Sequence, residues 1–352
     1  LSPFLSPTSD MNDLWYSGQK FNNPRIMLDH CLKNARRISL NNSAFVEVTP
    51  VKGLKLRSQF TYYSYQRHGR YYEPGYLPAK KENEGGYAKR DEYDDTSFSS
   101  ENTVYYELRP KSGHNFDVLG GYTAQIKYDN NLSITGRGYT LDELTWNNMA
   151  AVPDKQNTSI STNHTDWTKM SVFGRLNYNY KERYLLEANL RIDGSSRFNK
   201  SNRWGYFPSV SGAWRISEEP FMQDVKHIID GLKLRASYGT LGNQNLAGGD
   251  AASYYPTTQN LAMGQISMND NIYSLVTLNT LANPDIKWET TTMLDVGVDF
   301  SLFNKLNITA DWYRKETKDI LMKLDMPLGI GLNAPYQNAG KVRNTGWEVS
   351  VG

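Results

Sequence analysis

The chain has 352 residues, and its 39 basic and 37 acidic side chains leave a formal net charge of +2, which excludes the long-range positive field that nucleic-acid recognition uses. Only 39% of the residues are hydrophobic, yet 12% are aromatic, and a single cysteine, Cys31, excludes an internal disulfide and a cysteine-based zinc site. No apolar run approaches the ~20 residues that a membrane helix needs, and the opening LSPFLSPTSD has neither the charged start nor the apolar stretch of a signal peptide. A mean hydropathy of −0.63 reads as soluble for every class but one. A membrane β-barrel alternates lipid-facing and water-facing residues, so its average conceals its apolar face.

In chain order, residues 1–35 read as a long-loop segment, with a possible helix in NPRIMLDHCLKNARR. The first alternating run is RISLNNSAFVEV. Ile38, Leu40, Ala44, Val46 and Val48 share a face, and Phe45 is out of phase. In YLLEANLRIDG, Leu186, Ala188, Leu190 and Ile192 oppose Glu187, Asn189, Arg191 and Asp193. FPSVSGAWRI sets Val210, Gly212, Trp214 and Ile216 against Ser209, Ser211, Ala213 and Arg215. LKLRASYG sets Leu232, Leu234, Ala236 and Tyr238 against Lys233, Arg235, Ser237 and Gly239. TTMLDVGVDF and LNITADWYRK repeat the pattern, with Leu294, Val296, Val298 and Phe300 in the first and Leu306, Ile308, Ala310 and Trp312 in the second. The chain yields roughly eleven such segments, many near the ten residues that a tilted strand needs to cross a bilayer.

The connections alternate in length. Short turns are expected at Lys52-Gly53, Lys111 to His114, Lys181 to Arg183 and Asn304-Lys305, with a longer one from Ser217 to Gly231. Between them lie polar segments at 67–96, 129–168, 195–205, 241–286 and 319–344, of which only KKENEGGYAKRDEYDD is low in complexity. A compact soluble sandwich rarely carries several structureless connections beyond ~15 residues, whereas an up-and-down membrane barrel has short turns on one side and long loops on the other. Tyr178, Tyr180 and Tyr184 beside a short turn, and Tyr206, Trp288 and Trp347 beside long segments, fall where two aromatic girdles would lie. GWEVSVG starts a further strand with no return, so 36–352 reads as part of a larger barrel.

LKLRASYGTLGNQN, preceded by YKERYLLEANLRIDGSSRF and NRWGYFPSVSGAWRISEEPFM, closely resembles the barrel of SusC-like TonB-dependent outer-membrane transporters of Bacteroidetes. NPDIKWETTTMLDVGVDFSLFNKLNITADWYRKETKDIL and YQNAGKVRNTGWEVSVG extend the resemblance, which is strongest from Val172 to Gly352. It implies an all-β, antiparallel up-and-down transmembrane barrel of about 22 strands, of which this chain supplies about half, with long extracellular loops and short periplasmic turns. It also implies a plug domain, a capping SusD-like lipoprotein and energy from TonB-ExbB-ExbD, used to import oligosaccharides or peptides. No plug, TonB box or closing strands are recognisable in these residues. A non-transporting outer-membrane adhesin or scaffold, and a soluble β-sheet carbohydrate-binding protein, are the alternative classes.

Within a barrel, Glu187, Arg191, Asp193, Arg215, Lys233, Arg235, Asp295 and Asp299 are expected to face the lumen, either contacting substrate or pairing with one another and with a plug in a wet interior. Tyr71, Tyr72, Tyr76, Trp146, Tyr254 and Tyr255 fall on long segments, where flat rings either stack on a sugar or peptide or pack loop on loop. GTLGNQN lacks the spacing of a dinucleotide fingerprint, the five histidines lack metal-ligand spacing, and no G-x-S-x-G elbow occurs. The expected protein is therefore not an enzyme and uses neither cofactor nor metal. Its surroundings are outer-membrane lipid.

Overall fold

The computed structural model describes residues 15–16, 19–20, 24–77, 85–154, 157–246, 254–303 and 305–352. In chain order these form β1 (Trp15–Tyr16), β2 (Gln19–Lys20), α1 (Pro24–His30), β3 (Leu32–Val51), β4 (Leu54–Glu73), β5 (Gly86–Leu108) and β6 (His114–Tyr139). There follow β7 (Thr158–Tyr180), β8 (Tyr184–Ser195), β9 (Trp204–Arg215), β10 (Ile229–Asn243), β11 (Asn260–Met268) and β12 (Asn271–Thr280). The last elements are β13 (Glu289–Leu302), β14 (Leu306–Lys318), β15 (Leu321–Lys323), β16 (Tyr336–Asn338) and β17 (Lys341–Val351).

Eleven strands form one sheet in the order β3-β4-β5-β6-β7-β8-β9-β10-β13-β14-β17, the up-and-down order, with β3 and β17 at its edges. The helical pattern ends sooner than expected. The Cys31 amide closes the last turn on the Met27 carbonyl at 3.0 Å, and Leu32 already belongs to β3. Ladder bonds along β3 override the modest helix propensity of Lys33 to Arg37. The boundary at residue 36 thus moves back to 32; residues 1–14, 17–18 and 21–23, also in the expected loop, lie outside the described residues.

Two compact units divide the chain. One comprises Leu1–Asn42, Tyr62–Phe98 and Lys127–Asp166, the other Ser43–Thr61, Ser99–Ile126 and Trp167–Gly352. β3 to β7 run for 20, 20, 23, 26 and 23 residues, whereas β8, β9, β10, β13, β14 and β17 run for 11 to 15. A rise of ~3.3 Å per residue makes even the shorter set long enough to cross a bilayer and the longer set about twice that. The expected long connections shrink accordingly, to 74–85 and 140–157 between the long strands. The segment 196–203 is shorter than 216–228, which holds two 3-10 turns, so the alternation fails at that one place. Residues 78–84 and Asn304, part of an expected long segment and an expected turn, lie outside the described residues.

The period-two reading of β8 to β14 is reproduced by the register. Leu186 pairs with Gly212, Leu190 with Pro208, Leu234 with Val298 and Ala236 with Val296, so the apolar residues line one face. None of Leu186, Ala188, Leu190, Ile192, Val296 and Val298 is buried; Leu186, Leu190 and Val296 are 46–47% exposed. At the short-turn end this face carries a ring stack, with His114 on Tyr180 at 4.5 Å, Tyr180 beside Tyr184 at 6.2 Å and Tyr184 beside Trp214 at 6.3 Å. Glu219, from the following 3-10 turn, accepts from the Tyr184 hydroxyl at 2.6 Å and the Trp214 indole at 3.0 Å. Those two hydrogen bonds, the tyrosine's first, hold its carboxyl below the usual carboxylate range, helped by Arg183.

Candidate functional site

The second face of the same strands is polar, and its charges meet across the ladders. Arg235 on β10 donates to Asp299 on β13 at 3.0 Å and to Asp311 on β14 at 2.9 Å, while Lys233 lies 3.9 Å from Asp299. Gly297, set between these strands, leaves the room in which Asp311 and Arg235 approach each other, because a Cβ there would collide with the Asp311 carboxylate. Arg191 donates to Asp193 at 3.1 Å and to the Ser171 hydroxyl at 2.8 Å, and Lys169 stands 3.7 Å from Asp193. The pairs of Lys233 and Arg235 with Asp299, about a third exposed on both sides, contribute about 0–1 kcal/mol each, whereas Asp193 is buried.

A concavity of about 480 Å³ opens on this face, with Glu187, Lys233, Arg235, Ser237, Asn177 and Asp295 among its walls. Five of the eight expected lumen residues thus associate through this concavity and the Arg235 bridge: Glu187, Lys233, Arg235, Asp295 and Asp299. Arg191 and Asp193 pair separately. Arg215 sits at the short-turn end, 3.7 Å from both Glu182 and Glu218. The charged wall can bind polar groups by charge and hydrogen bonding. Among the described residues, no three His, Cys, Asp or Glu side chains converge to hold a metal ion.

The expected loop aromatics separate into packed and open groups. Tyr71 and Tyr72 belong to β4, not to a loop. Tyr72 is 1% exposed, donates to Asp142 at 2.5 Å, and packs with Ala88, Tyr139 and Val152, against which Trp146 lies partly buried. Tyr71 donates to Glu73 at 3.2 Å and faces Tyr87. Tyr76 is open, at 53% exposed, with His30 on its edge and hydroxyl. Tyr254 lies under the Arg197 guanidinium, which also covers Trp167, at 4.9 and 5.2 Å. Tyr255 turns its carbonyl onto the Thr258 amide at 3.1 Å.

Trp288 is corrected from girdle to core. It is 5% exposed between Phe198 and Phe207, its indole N–H donating to the Arg203 carbonyl at 3.0 Å, and Leu246, Ile286, Leu321 and Tyr336 complete the cluster. Tyr206 and Trp347, expected at the same level, are 65% and 75% exposed. Three asparagines stitch this cluster to backbone: Asn202 to the Asp285 carbonyl, Asn283 to that of Tyr336, and Asn338 to those of Lys287 and Asp319 while accepting from the Lys287 amide, all at 2.8–2.9 Å.

Sequence reasoning missed the β11–β12 hairpin inside 241–286. Asn269 and Asp270, with φ of 50° and 57°, supply the two left-handed residues of a tight hairpin turn, and that dipeptide was the available signal. The hairpin exposes Leu261, Met263, Ile272 and Val276 at 56–77%.

A family profile described as "TonB dependent receptor-like, beta-barrel" matches residues 5–352. TonB-dependent receptor P3 of Formosa agariphila is 30% identical over 335 residues, which is 95% of this chain and 32% of that protein. TonB-dependent receptor SusC of Bacteroides thetaiotaomicron is 34% identical over 259 residues, 72% of this chain and 24% of SusC. The chain therefore spans about a quarter to a third of these relatives. Among solved structures, the RagAB peptide transporter superposes with a TM-score of 0.83 at 24% identity, covering 96% of this chain and 37% of that one, a likeness of fold.

Proposed function

The chain belongs to the TonB dependent receptor-like β-barrel family of the outer membrane, a family of receptors and transporters rather than enzymes, and from that premise we propose that it is part of the wall of a SusC-like importer. The importer takes up oligosaccharides or peptides, with energy from TonB-ExbB-ExbD and with a SusD-like lipoprotein over its long-connection end. The observation that carries this reading is the two-faced sheet: an unburied aliphatic face suited to lipid, and an opposite face of paired charges suited to a wet lumen. The resemblance to SusC supports the lipoprotein, and the name of the RagAB peptide transporter supports the peptide alternative.

In this reading Glu187, Arg191, Asp193, Arg215, Lys233, Arg235, Asp295 and Asp299 face the lumen. Tyr76 is the best placed of the expected aromatics to meet substrate, because Tyr72 and Trp146 are spent on packing. The apolar β11–β12 hairpin is the surface offered to the lipoprotein. Uptake of labelled oligosaccharides and labelled peptides by cells making the full-length protein tests the reading, with and without TonB. One substrate class is expected to enter only when TonB is present. Uptake that is indifferent to TonB, or absent for both classes, overturns it.

A further inference from the structure

The lipid-suited face of β14 and β17 does not end at its aromatics. Ile308, Ala310 and Trp312 on β14 face the same way as Val351, Val349 and Trp347 on β17, and the register places Trp312 opposite Trp347. Continuing by twos toward the long connection 319–340, the same row of β14 carries Arg314, Glu316 and Lys318. Opposite them on β17 stand Thr345, Arg343 and Lys341. A row that is apolar, then tryptophan, then cationic has the order of hydrocarbon, interface and headgroup.

The cluster has a built geometry. Glu316, 11% exposed, lies 2.8 Å from Arg343, 3.0 Å from Lys341, 3.1 Å from Lys318 and 3.5 Å from Arg314. One carboxylate therefore gathers four cations, and each cation remains about half exposed, at 48–54%. Among the described residues, four positive charges gather on one carboxylate, an excess of three in a patch two strands wide. Like charges that close call for an added anion, and the side on which they are open is the side that continues the lipid face.

We infer that Arg314, Lys318, Lys341 and Arg343 form a binding site for the phosphate groups of an outer-leaflet anionic glycolipid. The two guanidinium groups can grip phosphate oxygens in pairs, the two ammonium groups add charge, and Glu316 spaces the four heads. The inference rests on the proposed outward orientation of the long-connection end. Labelling of an Asp325→Cys variant on intact cells by a membrane-impermeant maleimide, above that of the wild-type protein with its native Cys31, reports that orientation separately.

The test uses the full-length protein in phosphatidylcholine vesicles containing either diphosphorylated lipid A or its dephosphorylated form. Native mass spectrometry and vesicle titration read the lipid bound. Wild-type protein is expected to retain the phosphorylated lipid selectively, and the K341Q/R343Q double variant to bind it about 30-fold more weakly, as the loss of two cations at a charged membrane surface implies. K287Q, outside the cluster, should bind like wild type, and unchanged heat-modifiable mobility on gels confirms that all variants fold. Equal binding of the two lipids, undiminished binding by the double variant, or full displacement by millimolar inorganic phosphate overturns the proposal.

Discussion

The cluster around Tyr72 and the cluster around Trp288 show two ways of building a buried core on a sheet whose broad faces stay open. In the first unit Tyr72, Ala88 and Tyr139 come from the long strands β4, β5 and β6, and a connection contributes Val152 with Trp146 and Met149. In the second unit only Phe207 comes from a strand of the large sheet. Phe198, Leu246, Ile286, Trp288, Leu321 and Tyr336 come from connections or from the short β15 and β16. Extended ladders hold the strand residues of the first cluster, Tyr72, Ala88 and Tyr139, whereas the second relies on asparagine side chains to satisfy the carbonyls of Asp285, Lys287 and Asp319 and the Lys287 amide, which lie outside its strands. A core made of connections is therefore more dependent on individual side chains than one made of strands.

The largest expected effect follows from that dependence. Trp288→Ala in the full-length protein empties the centre of the second cluster and is expected to cost about 3–5 kcal/mol. Hydrogen exchange should show lost protection at residues 285–289 and 321–323, while the amides of Tyr72 and Ala88 keep theirs. Retained protection around Ile286 would break the comparison. Asn338→Ala removes three hydrogen bonds at once and strands the Lys287 amide, an expected loss of about 1–3 kcal/mol visible in a denaturant titration.

The corresponding polar change in the strand-built cluster should be milder. Tyr72→Phe removes the hydroxyl that donates to Asp142, but the Gly75 amide still donates to the same oxygen at 3.1 Å, so about 1 kcal/mol is expected. A loss larger than that of Asn338→Ala would reverse the ranking. The smallest effect lies in the second unit but away from its cluster, at Glu219. Its carboxyl titrates below the unfolded value of 4.5, so its contribution is complete above that pH and is lost as the pH falls through the depressed folded value. Glu219→Gln is expected to lower the neutral plateau of a stability–pH profile slightly and to flatten its acid limb, so that variant and wild type converge at low pH.

Legibility in the sequence follows from solvent contrast. β8, β9, β10, β13 and β14 could be read directly because one face is aliphatic and the other charged. Residues 67–73, 86–96, 129–139 and 158–168 read as loop because both of their faces are polar. RHGRYYE and YDNNLSITGRGY carry no period of two although ladder bonds hold them extended. Trp288 looked like a girdle residue because an aromatic at a strand entrance is compatible with either interface or core. Asp311 falls between Ala310 and Trp312 and so on the polar face of its strand, but its bond to Arg235 depends on the register of three strands.

What the sequence determined by itself is the face of each residue in the membrane-crossing strands, since side chains alternate by local backbone geometry alone. It also determined which strands pair across the short turns, β3 with β4, β5 with β6, β7 with β8 and β13 with β14, because those turns allow no other neighbour. What only the tertiary structure decided is which charges meet, how far the strands continue, and which aromatics are buried. Those outcomes depend on register across strands and on connections distant in sequence, such as the 53-residue separation between Asn283 and Tyr336, which no local pattern encodes.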